Sequence, residues 1–207
     1  MKKLLIFVLI GFGCLPREGR AQSDFWVPLP GPNSAAVYHA ASNEKGYLFL
    51  GTDRGAYRST DGGQHWEELT AGITLLGNQD VDALTVLPNG EILLANFFGV
   101  WLSQNDGINW RELSTGIVHL NFHEFNMNPA GDKLFGAEGF ALDGGVYYST
   151  NYGRSWQPTS LEDEYVFTIE FLPNGMLLAG TKEGVFISAD EGDNWEQANE
   201  GLPSRTE

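Results

Sequence analysis

One eight-residue string occurs four times in this chain, and it constrains the fold more than any other feature. The copies run from Ser59 to Trp66, Ser103 to Trp110, Ser149 to Trp156 and Ser188 to Trp195. Each reads Ser, any residue, Asp or Asn, any residue, Gly, two further residues and Trp. The shared positions are Ser59, Asp61, Gly63 and Trp66, then Ser103, Asn105, Gly107 and Trp110, then Ser149, Asn151, Gly153 and Trp156, and last Ser188, Asp190, Gly192 and Trp195. The tryptophans lie 44, 46 and 39 residues apart.

Short apolar runs flank each copy, such as Val185-Phe186-Ile187 before the last, which is a hairpin signal. The Asp or Asn can accept backbone N–H bonds from the residues after it and close an Asx-type turn. The Gly two places on can take positive φ without a Cβ clash. The Trp opens the next strand and lays a large apolar face over the hairpin. All sixteen shared residues are therefore predicted to be structural. Calcium is the rival reading. A calcium loop of the EF-hand kind needs several spaced oxygen ligands and a bidentate Glu at its twelfth position. Asn105 and Asn151 place a neutral amide where such a loop needs charge. No metal and no cofactor is predicted.

A repeat of about 40–45 residues is the period of a β-propeller blade. The last unit is the clearest: Tyr165 to Leu172 as a strand, Pro173-Asn174-Gly175 as a turn, Met176 to Gly180, then Val185 to Ser188, then an outer strand from Trp195. Four short strands per repeat, none able to bury a face alone, is the logic of a propeller. The predicted fold is all-β, with blades over 32–72, 73–116, 117–160 and 161–201. Phe25 to Gly31 resembles Trp66 to Gly72, and Trp26 precedes Trp66 by 40 residues. It reads as an outer strand without inner strands. Four blades and an orphan strand fall short of the usual ring of six to eight, so an open arc is expected.

The repeated string resembles the Asp-box, or BNR repeat, of sialidases, sortilin-like receptors, xyloglucanases and photosystem assembly factors. All four copies keep Ser, Gly and Trp, and two replace Asp with Asn. In that family the box is a structural hairpin at the blade periphery, facing away from any active site. The resemblance implies a propeller over essentially all of the chain after residue 21.

The chain opens with Met1-Lys2-Lys3, an apolar run from Leu4 to Leu15, and then Gly19-Arg20-Ala21-Gln22. This is the layout of a secretory signal peptide, with cleavage predicted after Ala21. The run is too short to span a bilayer. Cys14 gives a lipoprotein alternative, although Gly11-Phe12-Gly13 before it lacks the usual aliphatic first residue. Removing residues 1–21 takes four of the 12 basic and one of the 27 acidic residues, leaving 8 and 26. A surface this acidic disfavours nucleic acid, whose binding neutralises phosphates with Lys and Arg. It also disfavours anionic membrane surfaces. The expected partner is a protein or a carbohydrate met outside the cytoplasm.

In a four-stranded blade, the second-to-third and fourth-to-next-first connections share one face, which carries the sites in sialidase-type propellers. Here the connection from Ala137 to Gly145 is the longest of its kind and contains Glu138, Phe140 and Asp143. Extra loop length over a rigid scaffold is a binding signal, and drift in a tolerant loop is the alternative. Phe97 and Phe98 can stack on a sugar ring or a partner, or be buried between blades. These five residues are the candidate binding set. No catalytic residue is assigned. Pro158 to Glu164 reads as the loop from blade 3 to blade 4, with Glu162-Asp163-Glu164 a solvated acidic run, and His119 and His123 need not face one site. A sialidase would need an Arg cluster for the substrate carboxylate. Arg58 and Arg111 fall in outer strands and Arg154 in a box, leaving Arg54, with Arg205, on the loop face. Two functions remain: a non-catalytic secreted module presenting loops to a protein or glycan, and part of a xyloglucanase-type glycoside hydrolase. An opposed pair among Asp53, Asp80, Asp143 and Asp163 would favour the hydrolase.

Overall fold

The computed structural model describes residues 31–32, 35–69, 73, 80–113, 121–139, 144–162 and 164–202. The predicted leader, the Trp26 segment, His119, Phe140, Asp143, Asp163 and Arg205 lie outside them. Every element among the described residues is a strand. Blade 1 holds β1 (Val37–Ser42), β2 (Leu48–Thr52), β3 (Gly55–Ser59) and β4 (Glu67–Glu68). Blade 2 holds β5 (Ala83–Val86), β6 (Ile92–Asn96), β7 (Gly99–Ser103) and β8 (Arg111–Glu112). Blade 3 holds β9 (Phe122–Met127), β10 (Leu134–Glu138), β11 (Gly145–Ser149) and β12 (Gln157–Glu162). Blade 4 holds β13 (Val166–Phe171), β14 (Leu177–Thr181), β15 (Gly184–Ser188) and β16 (Glu196–Gln197). Each blade is one antiparallel sheet in chain order, so the predicted four-bladed β-propeller is what the chain forms.

The repeated turn folds the same way in all four copies. The Ser hydroxyl donates to the Asx Oδ1 at 2.8 Å in the first box and 3.1, 2.9 and 2.8 Å in the others. The same hydroxyl oxygen accepts the Gly N–H at 2.8, 2.9, 2.8 and 2.8 Å. The amides of His65, Asn109, Ser155 and Asn194 donate to the Asx oxygen at 3.0, 2.9, 2.8 and 2.8 Å. Asn can stand for Asp because the bonds common to all four copies use one carbonyl-type oxygen; the second oxygens of Asp61 and Asp190 meet His65 Nδ1 at 2.6 Å and the Asn194 side-chain amide at 2.8 Å. The residue before each box Gly is left-handed too: Gly62 at φ 74°, Asp106 at 56°, Tyr152 at 57° and Glu191 at 57°. With its Asx oxygens bound internally, no box has a coordination shell to offer. Adding micromolar calcium should leave the melting temperature unchanged in a thermal scan, and a rise of several degrees would refute this reading.

Each blade has two faces, one toward the blade before it and one toward the blade after. The core lies in the seams between them. Phe49, Ala56 and Leu69 of blade 1 pack on Leu84, Ile92, Leu94 and Trp101 of blade 2. Leu93, Val100 and Leu102 pack on Phe122, Phe125 and Leu134. Phe135, Ala137 and Val146 pack on Val166, Ile169, Phe171 and Leu177. Among the described residues no core cluster joins blade 4 to blade 1.

Two loop boundaries differ from expectation. Pro158 to Glu162 reads as loop in sequence but forms most of β12, because Leu161 buries its side chain in the third seam and Gly145 pairs with Glu162. The long connection is shortened to residues 139–144, since Ala137 and Glu138 are laddered to Val146 and Gly145. It remains longer than the two-residue turns Asp53-Arg54, Phe97-Phe98 and Lys182-Glu183.

Candidate functional site

The four inner strands, β1, β5, β9 and β13, enter from the loop face, and three of them carry a bulge at the same place. Val37 pairs with Thr52 and His39 with Gly51, leaving Tyr38 as the extra residue. Phe122 pairs with Glu138 and Glu124 with Ala137, leaving His123. Val166 pairs with Thr181 and Thr168 with Gly180, leaving Phe167. Asp82 holds this place in blade 2, between buried Val81 and Ala83, which pairs with Ala95. A bulge re-aims the side chain it carries and is common beside binding and active sites. One residue per blade, Tyr38, Asp82, His123 and Phe167, is thereby singled out at one end of the inner strands.

Two of these are large exposed apolar groups, Tyr38 at 55% and Phe167 at 54%. Phe167 does not stand alone. Its ring lies 4.7 Å from that of Tyr165, and Tyr165 stacks on His123 at 5.7 Å and 27°. The Tyr165 hydroxyl and His123 Nε2 are 3.3 Å apart. His123, Tyr165 and Phe167 thus make a continuous aromatic strip across blades 3 and 4.

The polar half of the site, His39, Asp80, Asp82 and His123, is half-buried. The His39 ring donates to the backbone carbonyl of Asp82, tying blade 1 to blade 2. Burial lowers the His39 pKa, and nearby His123 lowers it further. Burial also lowers that of His123, so both rings are neutral at pH 7. Burial, with Asp80 close by, raises the Asp82 carboxyl to about 6. A carboxyl raised this way holds its proton more tightly folded than unfolded, so the fold is favoured at low pH and loses stability as pH rises from 3.8 to about 6. Asp82→Asn should remove that loss. Because the group is partly solvated, the gain above pH 6 is discounted to about 1 kcal/mol. Denaturant midpoints at pH 4 and pH 7 measure it, and an equal pH dependence in parent and variant would contradict it.

The five residues expected to bind are placed as follows. Phe97 is 60% exposed at the β6–β7 turn, not buried between blades, and meets half-buried Phe98 edge to face at 5.5 Å. Glu138 is fully buried at the end of β10 and accepts the Asn121 amide at 3.2 Å. Its position matches Thr52, Asn96 and Thr181, whose side chains cap the turns after β2, β6 and β14. Phe140 and Asp143 fall outside the described residues. Asn96 Nδ2 and Asn121 Oδ1 are buried without a hydrogen-bond partner among the described residues.

Of the four aspartates that could have opposed one another, Asp53 accepts the Ala36 amide at 2.8 Å. Asp80 acts on Asp82, its neighbour in the chain. Two arginines are committed elsewhere: Arg58 to Glu67 at 2.7 Å and Arg154 to Glu91 at 2.8 Å. A groove of about 640 Å³ opens at the opposite end, lined by Asn43, Lys45, Leu87, Glu91 and Met127 among others. Three of its charged residues are already paired, Lys45 with Asp106 at 2.6 Å and Glu91 with Arg154. No group of three His, Cys, Asp or Glu able to hold a metal occurs among the described residues.

Sequence reading missed His39, Tyr38, Asp82 and Phe167. The signal was present: Val37, Val81, Phe122 and Val166 are apolar residues at one place in each unit, each followed by the singled-out residue. It becomes visible only when the units are aligned on their inner strands rather than on their boxes.

Four sheets in series, each closed by the same Ser–Asx–Gly–Trp turn, make the chain a four-bladed β-propeller with a repeated box turn. The BNR/Asp-box repeat family matches residues 147–158. No curated protein matches significantly. An ancestral GH74 enzyme is similar in structure, with a TM-score of 0.67 and 22% identity, over 84% of this chain and 25% of that one. The extracellular domain of a putative one component system from B. thetaiotaomicron follows at 0.63 and 13%, over 78% and 22%. YCF48 bound to D1 peptide gives 0.57 and 17%, over 83% and 56%. The chain spans between 22% and 56% of the lengths of these three. Likeness at this identity shows a shared fold.

Proposed function

We propose that the chain is a non-catalytic propeller module, exported from the cytoplasm, that binds a protein or a glycan on its loop face. The observation that carries this reading is the repeated bulge, with Tyr38 and Phe167 standing exposed at two of its places. Exposed aromatics on a rigid sheet give a large contact area at little entropic cost. Acidic Asp80 and Asp82 with neutral histidines suit a neutral or cationic ligand over an anionic one. Export rests on the leader-like residues 1–21 and on the extracellular neighbour. Among the described residues no helix is long and apolar enough to cross a membrane.

One observation favours a second reading, part of a glycoside hydrolase. A carboxyl raised to about 6 is poised as a general acid. Against it stands the lack of an opposed partner among the described aspartates. Glycan and peptide arrays probed with the purified chain test the first reading. A ligand found there should bind about tenfold more weakly to Phe167→Ala and to Tyr38→Ala. Unchanged affinity in both variants would sink the loop-face assignment. Release of reducing sugar from a β-glucan, abolished by Asp82→Asn, would establish the second reading instead.

A further inference from the structure

The seams of this molecule are built from one pair of faces used three times, and the same two faces occur once more, at its ends. In β2, β6 and β10 the second residue faces the next blade, and Phe49, Leu93 and Phe135 are each fully buried there. The second residue of β14 is Leu178, which is half-buried, as are Val185 and Ile187 beside it. The first residue of β6, β10 and β14 faces the preceding blade, and Ile92, Leu134 and Leu177 are buried. Its counterpart Leu48 is half-buried, with Leu50 and Tyr57 alike and Ala40 exposed. The two end faces are thus apolar where the internal ones are apolar, and less covered.

The place that carries an ion pair in each internal seam is uncharged on both end faces. Each internal seam has one ion pair between the turn before a second strand and the next box. These are Lys45 with Asp106 at 2.6 Å, Glu91 with Arg154 at 2.8 Å and Lys133 with Glu191 at 2.8 Å. Met176 holds the place of Glu91 and Lys133 in blade 4, and the first box has Gly62 and Gln64 where the others have Asp106, Arg154 and Glu191. Joining the ends would therefore leave no charge unpaired at that place. We infer that the end faces bind each other between copies of this chain, blade 4 of one against blade 1 of the next. Two copies of four blades close a ring of eight, within the range propellers adopt.

Sedimentation of the purified chain should then give the mass of two copies. Leu50→Arg spoils one face and Ile187→Glu the other, so each variant alone should sediment as a single copy. An equimolar mixture should recover a two-copy species, because one intact seam remains. Both side chains are half-exposed, and circular dichroism checks that the variants fold. Should either fail to fold, Gln64→Cys with Met176→Cys in a Cys14→Ser background should cross-link between copies with a bifunctional maleimide. A single-copy mass for the parent at high concentration overturns the inference. So does loss of association from only one of the two substitutions, which marks a contact using one face twice. Association seen only after residues 22–30 are removed also overturns it, since that segment would then be the occupant.

Discussion

Replacing Phe122 with alanine should lower the stability of the chain by about 4 kcal/mol. Phe122 is fully buried and sits at the centre of the seam between blades 2 and 3. Its ring meets Trp156 at 4.4 Å, Phe125 at 5.1 Å and Tyr147 at 6.2 Å. It also fills the space over Gly136, where an added Cβ would lie 2.5 Å from the ring. Phe125 and Tyr147 on laddered strands and Trp156 beside β12 cannot collapse into the vacancy, so the cavity persists. Because blades contact only their neighbours, damage to one seam uncouples the two halves. Urea unfolding should shift to a lower midpoint and broaden into two steps. A single transition at the parent's midpoint would show that this seam contributes little.

The second large effect is expected at Gly107→Ala, at about 3 kcal/mol. Two penalties add at this box glycine. Its φ is +84°, a left-handed value that any Cβ makes less favourable. The new Cβ would also lie 2.4 Å from Leu69 Cδ1, across the first seam. Gly90→Ala is the matched control. Its φ is +82° and nothing lies within 4 Å of the added Cβ. That variant should lose only the conformational part, about 1 kcal/mol. Equal losses in the two variants, measured by denaturant unfolding, would mean that seam packing at the box is unimportant.

The fold was legible because its signal is local and repeated. Ser, Asx, Gly and Trp each act within eight residues, so their spacing alone specifies the turn and, through it, the hairpin. The apolar run of β14 was equally plain. β12 was misread because Pro158 and the polar residues around it conceal one buried anchor, Leu161, whose partners come from blade 4. The candidate site was less legible for the same physical reason. A bulge is defined by pairing with another strand, so nothing in Val37-Tyr38-His39 or Val166-Phe167-Thr168 announces the extra residue. His39 and Asp82 meet only because two blades bring them together. Glu138 was found in sequence as a loop residue and proves to end a strand, fully buried.

The three seam ion pairs bear on how a chain of near-identical units assembles in the right order. Lys45, Glu91 and Lys133 alternate in sign, and so do Asp106, Arg154 and Glu191 opposite them. A chain that skipped one blade while folding would press Lys45 against Arg154, or Glu91 against Glu191. Each such contact sets like charges together as water leaves the seam, which is unfavourable where matched charges attract. Apolar faces alone would accept either neighbour. The alternation makes sequence order readable to the folding chain, and it does so on the box side, away from the loop face that carries the proposed ligand.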